Sequence, residues 1–224
     1  MSRALAYCAY LHRPDVSLPE TGVRSAPVQV IAERELRLLW SEVEWPFDPA
    51  YLQKNAVEFH GVVQRVLKQV AVVPFRLLSV FSDLKELTDF AAEHAGTFAA
   101  DLERLKDFVQ MESVVYPAPG RAPSQMNSGA EYLRERALML RLIEQYAADL
   151  KERLRPLARD LRVRQTKSGS RLFVLVERGS EREFRALLEH APVPDRLSRR
   201  ISGPWPAAEF LSDSVKTPQV AGAK

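Results

Sequence analysis

Residue types that build chemical sites are scarce in this 224-residue chain. Cys8 is the only cysteine, so no intrachain disulfide can form, and a reducing compartment fits this usage. It lies in an apolar run and is interpreted as a small core residue, with a reactive thiol as the alternative. The four histidines are scattered, and no two have the spacing of metal ligands on a helix. This pattern predicts no metal site.

Motifs for common enzyme chemistry are also missing. The chain contains no Gly-x-x-x-x-Gly-Lys phosphate loop, no Gly-x-Gly-x-x-Gly turn and no Gly-x-Ser-x-Gly elbow. No apolar run reaches the roughly 18 residues of a membrane helix, and the apolar start ends at His12-Arg13-Pro14-Asp15. We therefore expect a cytoplasmic protein with no catalytic residues, no cofactor and no membrane partner. An enzyme whose Ser, His and Asp come from distant positions stays open as an alternative.

The composition is that of a globular protein. Hydrophobic residues make up 46% of the chain and charged residues 27%. The net charge of +3 hides an asymmetry, because residues 151–200 carry 14 Lys/Arg and 7 Asp/Glu. A basic face of this kind can bind an acidic partner or nucleic acid. The alternative, which we favour, is a solvated helix face beside strand edges guarded by arginine.

The first half of the chain predicts an α+β unit over residues 1–116. Strands are predicted at 4–11, 28–32, 36–43 and 108–116, with helices opening at Asp48 and at Ser82 or Asp83. Asp48 is a good N-cap, and Pro49 suits the first helical position. The two buried stripes are predicted to be Leu52, Ala56, Phe59, Val63, Val66 and Val70, and then Leu84, Leu87, Ala91, Ala95, Phe98, Leu102 and Leu105.

Residues 117–128 are rich in proline, glycine and serine, which predicts a linker or a flexible insertion within one domain. Ser128 then caps a long helix, with Glu131 completing a capping box. The helix has a nearly heptad stripe that Pro156 should end. The members of that stripe are Leu133, Ala137, Leu140, Ile143, Ala147, Leu150, Leu154 and Leu157.

A second α+β unit is predicted over residues 129–210. After the long helix come strands at 161–166 and 172–176, a helix capped by Ser180 and a strand at 197–201. Pro204 and Pro206 should break regular structure around Trp205. Residues 211–224 are predicted to be a disordered tail.

Two side chains stand out as candidates for contact with a partner. Arg76 lies in an apolar segment, where it either pairs with a helix carboxylate or reaches the surface, or else contacts a carboxylate of a partner. Trp205 lies between two prolines, where it either plugs the second unit or serves as an exposed docking aromatic.

Several short motifs, in this order, resemble the GvpL/GvpF family of gas vesicle proteins. They are an aromatic opening strand, Val73-Pro74-Phe75-Arg76 followed by Val80-Phe81, Ser128-Gly129 with Tyr132-Leu133, and Gly203-Pro204-Trp205-Pro206. The last tetrapeptide is the most specific. The resemblance covers most of residues 4–210 and makes Pro74, Phe75, Arg76, Phe81, Tyr132, Leu133, Gly203, Pro204, Trp205 and Pro206 the candidate partner-binding or motif residues.

The resemblance implies two α+β domains, the second of them ferredoxin-like. It also implies a non-enzymatic accessory role in gas vesicle assembly, by contact with the small shell protein GvpA and with other accessory proteins. A long helix, two sheets and no catalytic motif suit such an adaptor. The alternatives are a basic regulatory or nucleic-acid-binding module, and a diverged family member in a host without gas vesicles.

Overall fold

The computed structural model describes residues 1–77, 79–119 and 129–212. The chain divides into two compact units, one of residues 1–107 and 205–224 and the other of Phe108–Pro204. Both units combine antiparallel strands with helices, so the α+β class predicted from the sequence is confirmed.

The first unit is a five-stranded sheet with two helices. Its strands are β1 (Ser2–Leu11), β2 (Gln29–Glu33), β3 (Leu36–Glu44), β4 (Val73–Pro74) and β5 (Val80–Phe81), and its helices are α1 (Leu52–Leu67) and α2 (Leu84–Leu105). The strand order is β2-β3-β1-β4, and β5 also pairs with β1. The central strand β1 is buried almost from end to end, which explains its continuous apolar run.

The predicted helix starts of the first unit are confirmed by their caps. The Asp48 carboxylate accepts a 2.8 Å hydrogen bond from the Ala50 N–H, and Pro49 begins the short 3-10 turn that leads into α1. The Asp83 carboxylate accepts a 2.8 Å bond from the Glu86 N–H at the start of α2. Each bond satisfies a backbone N–H that the helix itself leaves unpaired.

The second unit has the order β6 (Phe108–Pro117), α3 (Gly129–Leu154), β7 (Asp160–Thr166), β8 (Gly169–Glu177), α4 (Glu181–His190) and β9 (Leu197–Trp205). Its sheet has the order β7-β8-β6-β9. A βαββαβ chain in this order is the ferredoxin-like arrangement that the resemblance implies. The core lies between the sheet and the helices, with Val109, Met111, Ile143, Leu150, Val174 and Phe184 nearly inaccessible to solvent.

Three sequence expectations differ from this structure. The strand predicted at 108–116 was assigned to the first unit, but β6 pairs along its length with β8, so the second unit begins at Phe108. The last strand does not stop at 201, because β9 is an edge strand and tolerates Pro204. Ser180 precedes α4, but its hydroxyl makes no capping bond.

Other expectations fall partly or wholly outside the described residues. The capping box of Ser128 cannot be placed, since residues 120–128 are not described. The same holds for most of the loop predicted at 117–128. Only Leu211 and Ser212 of the tail predicted at 211–224 are described.

Candidate functional site

The candidate residues Phe75 and Phe81 belong to the core of the first unit. Both are nearly inaccessible, and both contact Phe90 of α2, at ring-centroid distances of 5.9 and 5.2 Å. Pro74 is half-buried opposite Cys8 in the pairing of β4 with β1. Phe75 and Phe81 therefore pack the sheet against α2.

Arg76 emerges from this apolar segment into solvent. Its backbone N–H donates to the Ser79 hydroxyl at 3.2 Å, and its carbonyl accepts from the Ser79 N–H at 2.9 Å, so the pair closes a tight turn. The side chain is exposed and forms no ion pair with any residue that the structure describes. Of the two structural alternatives from the sequence, pairing with a helix carboxylate does not occur among the described residues, and the side chain reaches the surface instead.

The motif Gly203-Pro204-Trp205-Pro206 spans the end of β9. Gly203 has φ = +116°, and a Cβ there would come within 2.8 Å of the Met111 sulfur and 2.9 Å of the Gln110 carbonyl. Its own carbonyl accepts a hydrogen bond from Arg185 of α4. The positive φ and the lack of room for a Cβ both require glycine at this position, so the first residue of the motif is structural.

Trp205 does not plug the second unit as the sequence suggested. It is half-buried and belongs to the first unit, where its ring packs against His60 of α1 at a centroid distance of 4.9 Å. Burial lowers the pKa of His60 below its ordinary value of 6.5. Of the flanking prolines, Pro204 lies within β9 and is exposed, whereas Pro206 is buried.

A buried carboxylate holds the segment that follows Trp205. Asp101 of α2 is 3% exposed and accepts hydrogen bonds from the Ser212 N–H and hydroxyl, at 2.9 and 2.7 Å. Arg104 donates to Asp101 at 2.5 Å and to the Phe210 carbonyl at 2.7 Å. No sequence pattern could indicate the bonds from Asp101 to Ser212 and from Arg104 to Phe210, because the partners lie more than one hundred residues apart.

Tyr132 and Leu133 occupy the exposed beginning of α3, and they are 43% and 65% accessible. The predicted heptad stripe is divided in two. Its later members Ile143, Ala147, Leu150 and Leu154 are buried in the second unit, whereas Leu133 and Ala137 are exposed and Leu140 is half-buried. We call Leu133, Ala137 and Leu140 the α3 stripe.

Three arginines flank the α3 stripe. Successive helical residues are about 100° apart, which puts Arg136 on one side of the stripe and Arg134 and Arg141 on the other. All three are exposed, and none forms an ion pair with a described residue. We call them the arginine rim. Glu135 is already engaged, since it pairs with Arg196 just before β9.

The basic segment 151–200 is largely occupied by the protein's own groups. Arg153 and Arg155 pair with Asp149 and Glu152, at 2.7 and 3.5 Å. Arg199 donates to the Tyr146 hydroxyl at 2.6 Å and to the Leu188 carbonyl. Further pairs join Arg162 to Asp160 and Arg171 to Glu112. These contacts favour the structural interpretation of the charge excess.

Further sequence expectations concern a metal site, a membrane span and Cys8. No group of three His, Cys, Asp or Glu side chains suited to a metal ion occurs among the described residues. Over the same part of the chain, no helix is long and apolar enough to span a membrane. Cys8 is fully buried, and burial raises the pKa of its thiol to about 12, so its interpretation as a core residue is confirmed.

Comparison with known proteins identifies the family. The family described as "Gas vesicle synthesis protein GvpL/GvpF" matches residues 4–212. The chain belongs to the GvpL/GvpF family. No curated protein matches it in sequence.

Solved GvpF structures share the fold of this GvpL/GvpF family member. The crystal structure of the gas vesicle protein GvpF from Anabaena sp. PCC7120 has a TM-score of 0.75 and 14% identity, over 94% of this chain and 96% of that one. GvpF from Microcystis aeruginosa has a TM-score of 0.71 and 14% identity, over 93% of this chain and 98% of that one. The family recognised from the sequence motifs is therefore confirmed, and the protein is related to gas vesicles.

Proposed function

We propose that this protein is an accessory assembly protein of gas vesicles, which binds shell subunits of the GvpA type and other accessory proteins without catalysis. In this proposal it acts in the cytoplasm and at the gas vesicle. The observation that carries the proposal is the family match over residues 4–212, together with the GvpF fold along nearly the whole chain.

The surface of α3 supports a binding role. The α3 stripe leaves apolar side chains in solvent, as Leu133 shows at 65% exposure. Exposed apolar surface with a polar surround is typical of protein-binding sites.

Co-purification with the GvpA-type subunit of the same host tests this proposal. The two full-length proteins are mixed at low and high salt, and we expect retention of the shell subunit at both, because apolar contacts are not screened by salt. A matched reaction with bovine serum albumin in place of the shell subunit controls for nonspecific adsorption.

Two results would contradict the proposed function. One is loss of the shell subunit at both salt concentrations, and the other is a host that has no shell-protein gene. Binding of duplex DNA that falls steeply with added salt would instead favour the nucleic-acid alternative, since phosphate contacts release counterions.

A further inference from the structure

We propose that the α3 stripe and the arginine rim form a docking surface for an acidic amphipathic helix. The inference rests on the proposed function for the class of protein that supplies the helix, a gas vesicle shell or accessory protein. The apolar and charged side chains of the surface all lie on α3.

The apolar part of this surface continues the spacing of the buried core residues of α3. Leu133, Ala137 and Leu140 are spaced by four and three residues, as are the buried residues further along α3. The first fully buried residue of α3 is Ile143, whereas Leu133 and Ala137 are exposed and Leu140 is half-buried. Tyr132 lies beside them and is 43% accessible, which widens the apolar area.

The shape of this surface favours a helix as its occupant. A helix has no unpaired backbone edge along its sides, so a partner strand would find no hydrogen bonds there. A second helix can place its own side chains at i, i+3, i+4 and i+7 between Leu133, Ala137 and Leu140. Its contact length is about 10 Å for the seven steps from Leu133 to Leu140.

The charges favour an acidic occupant. Arg134, Arg136 and Arg141 carry charge on both sides of the apolar stripe and have no carboxylate partner among the described residues. Elsewhere on α3, Arg153 is paired with Asp149. An incoming helix with Asp or Glu on both sides of its apolar face would pair with the rim while its leucines cover the stripe. A phosphate backbone would use the arginines and leave Leu133 uncovered.

A pair of synthetic peptides tests the docking surface on the full-length protein. Each is an amphipathic helix of about 18 residues with leucines on one face, and the flanking positions are all Glu in one peptide and all Lys in the other. Fluorescence anisotropy measures the binding of each labelled peptide. We expect the Glu peptide to bind at least about tenfold more tightly than the Lys peptide.

Two sets of variants locate the contact. Leu133→Ser should weaken the Glu peptide about tenfold, whereas Leu138→Ser, at 54% exposure on another side of α3, should leave it unchanged. Reversal of the rim, with Arg134→Glu, Arg136→Glu and Arg141→Glu, should transfer the preference to the Lys peptide. The matched control carries three charge reversals elsewhere, Lys151→Glu, Arg153→Glu and Arg155→Glu. It should keep the preference for the Glu peptide.

Each remaining result counts against the docking surface. Equal binding of the two peptides would overturn it, as would an equal loss with Leu133→Ser and Leu138→Ser. A duplex DNA of about 20 base pairs that binds through the rim, with no effect of Leu133→Ser, would overturn it in favour of nucleic acid.

The proposed function can fail independently of this surface. If the Glu peptide binds as described but the GvpA-type subunit does not, the docking surface stands and the proposed function fails. If the shell subunit binds the wild type, Leu133→Ser and the reversed rim equally well, the function stands and the docking surface is wrong.

Discussion

Gly203 shows how much a single residue can constrain the end of β9. Its φ of +116° lies where side chains are strained, and an added Cβ would contact the Met111 sulfur and the Gln110 carbonyl at less than 3 Å. Gly203→Ala should therefore lower the free energy of unfolding by about 3 kcal/mol, through strain and overpacking. Urea denaturation followed by circular dichroism measures the change.

Gly61 is the matched control for that substitution. It lies inside α1, and an added Cβ would meet no atom within 4 Å. Gly61→Ala should raise the free energy of unfolding by about 1 kcal/mol, because alanine favours the helix. Equal effects of the two substitutions would show that the backbone at Gly203 is not strained.

The lowered pKa of His60 predicts that the stability of the protein falls toward acid pH. Burial against Trp205 lowers its pKa in the folded state, so the unfolded chain takes up the proton more readily. The stability that His60 contributes is present above its unfolded pKa of about 6.5 and is lost as the pH falls through the lower folded value. Between about pH 7.5 and about pH 5, Tm should fall more in the wild type than in His60→Gln.

His12 serves as the control in this comparison. It is exposed, and His12→Gln should lose as much Tm as the wild type over the same range. An equal loss in all three proteins would mean that the environment of His60 does not disfavour its charged form.

At the scale of elements, α3 combines a structural and an exposed part in one helix. Leu150 is fully buried, whereas Leu133 is 65% exposed on the same predicted stripe. Leu150→Ala should cost about 2–5 kcal/mol of unfolding free energy, since it leaves a cavity. Leu133→Ala should cost about 0.5 kcal/mol or less. Thermal denaturation of both variants tests the division, and similar losses would contradict it.

The periodic pattern of α3 was sufficient to predict its helix but not this division. A spacing of three and four residues indicates which face of a helix is apolar. It does not indicate how far along the helix a sheet covers that face. The same limit applies to Leu52 and Leu84, which were placed in buried stripes and are 41% and 46% exposed at the first turns of α1 and α2.

The candidate site was only partly predictable, for a related reason. Motif resemblance selected Tyr132 and Leu133, which are exposed, but also Phe75 and Phe81, which are core residues. A motif records that residues recur together and does not separate packing from contact. The arginine rim could have been found on a helical wheel, but its lack of carboxylate partners depends on distant residues such as Arg196, which engages Glu135.

At the scale of the whole molecule, the position of β6 changes what a cut in the loop would do. The composition of residues 117–128 still predicts the first site of limited proteolysis there or after Leu211. Because β6 pairs with β8, this cut falls inside the second unit and not between two domains. The two fragments should therefore elute together in size-exclusion chromatography and separate in urea.

Separate elution of the fragments without denaturant would support the linker that the sequence suggested. Early cuts within residues 50–70 or 130–150 would contradict the helices α1 and α3 themselves. Mass spectrometry of the nicked protein identifies the cut positions.

The hydrogen bonds between Asp101 and Ser212 have a consequence for synthesis on the ribosome. Residues 1–107 are made first, but Trp205 and Ser212, which complete the first unit, emerge only after the whole second unit. At roughly 5–20 residues per second, the carboxylate of Asp101 waits about 5–20 s for the Ser212 N–H. The nascent first unit therefore spends that interval without the two Ser212 donors, and Arg104 is then the remaining partner of the Asp101 carboxylate.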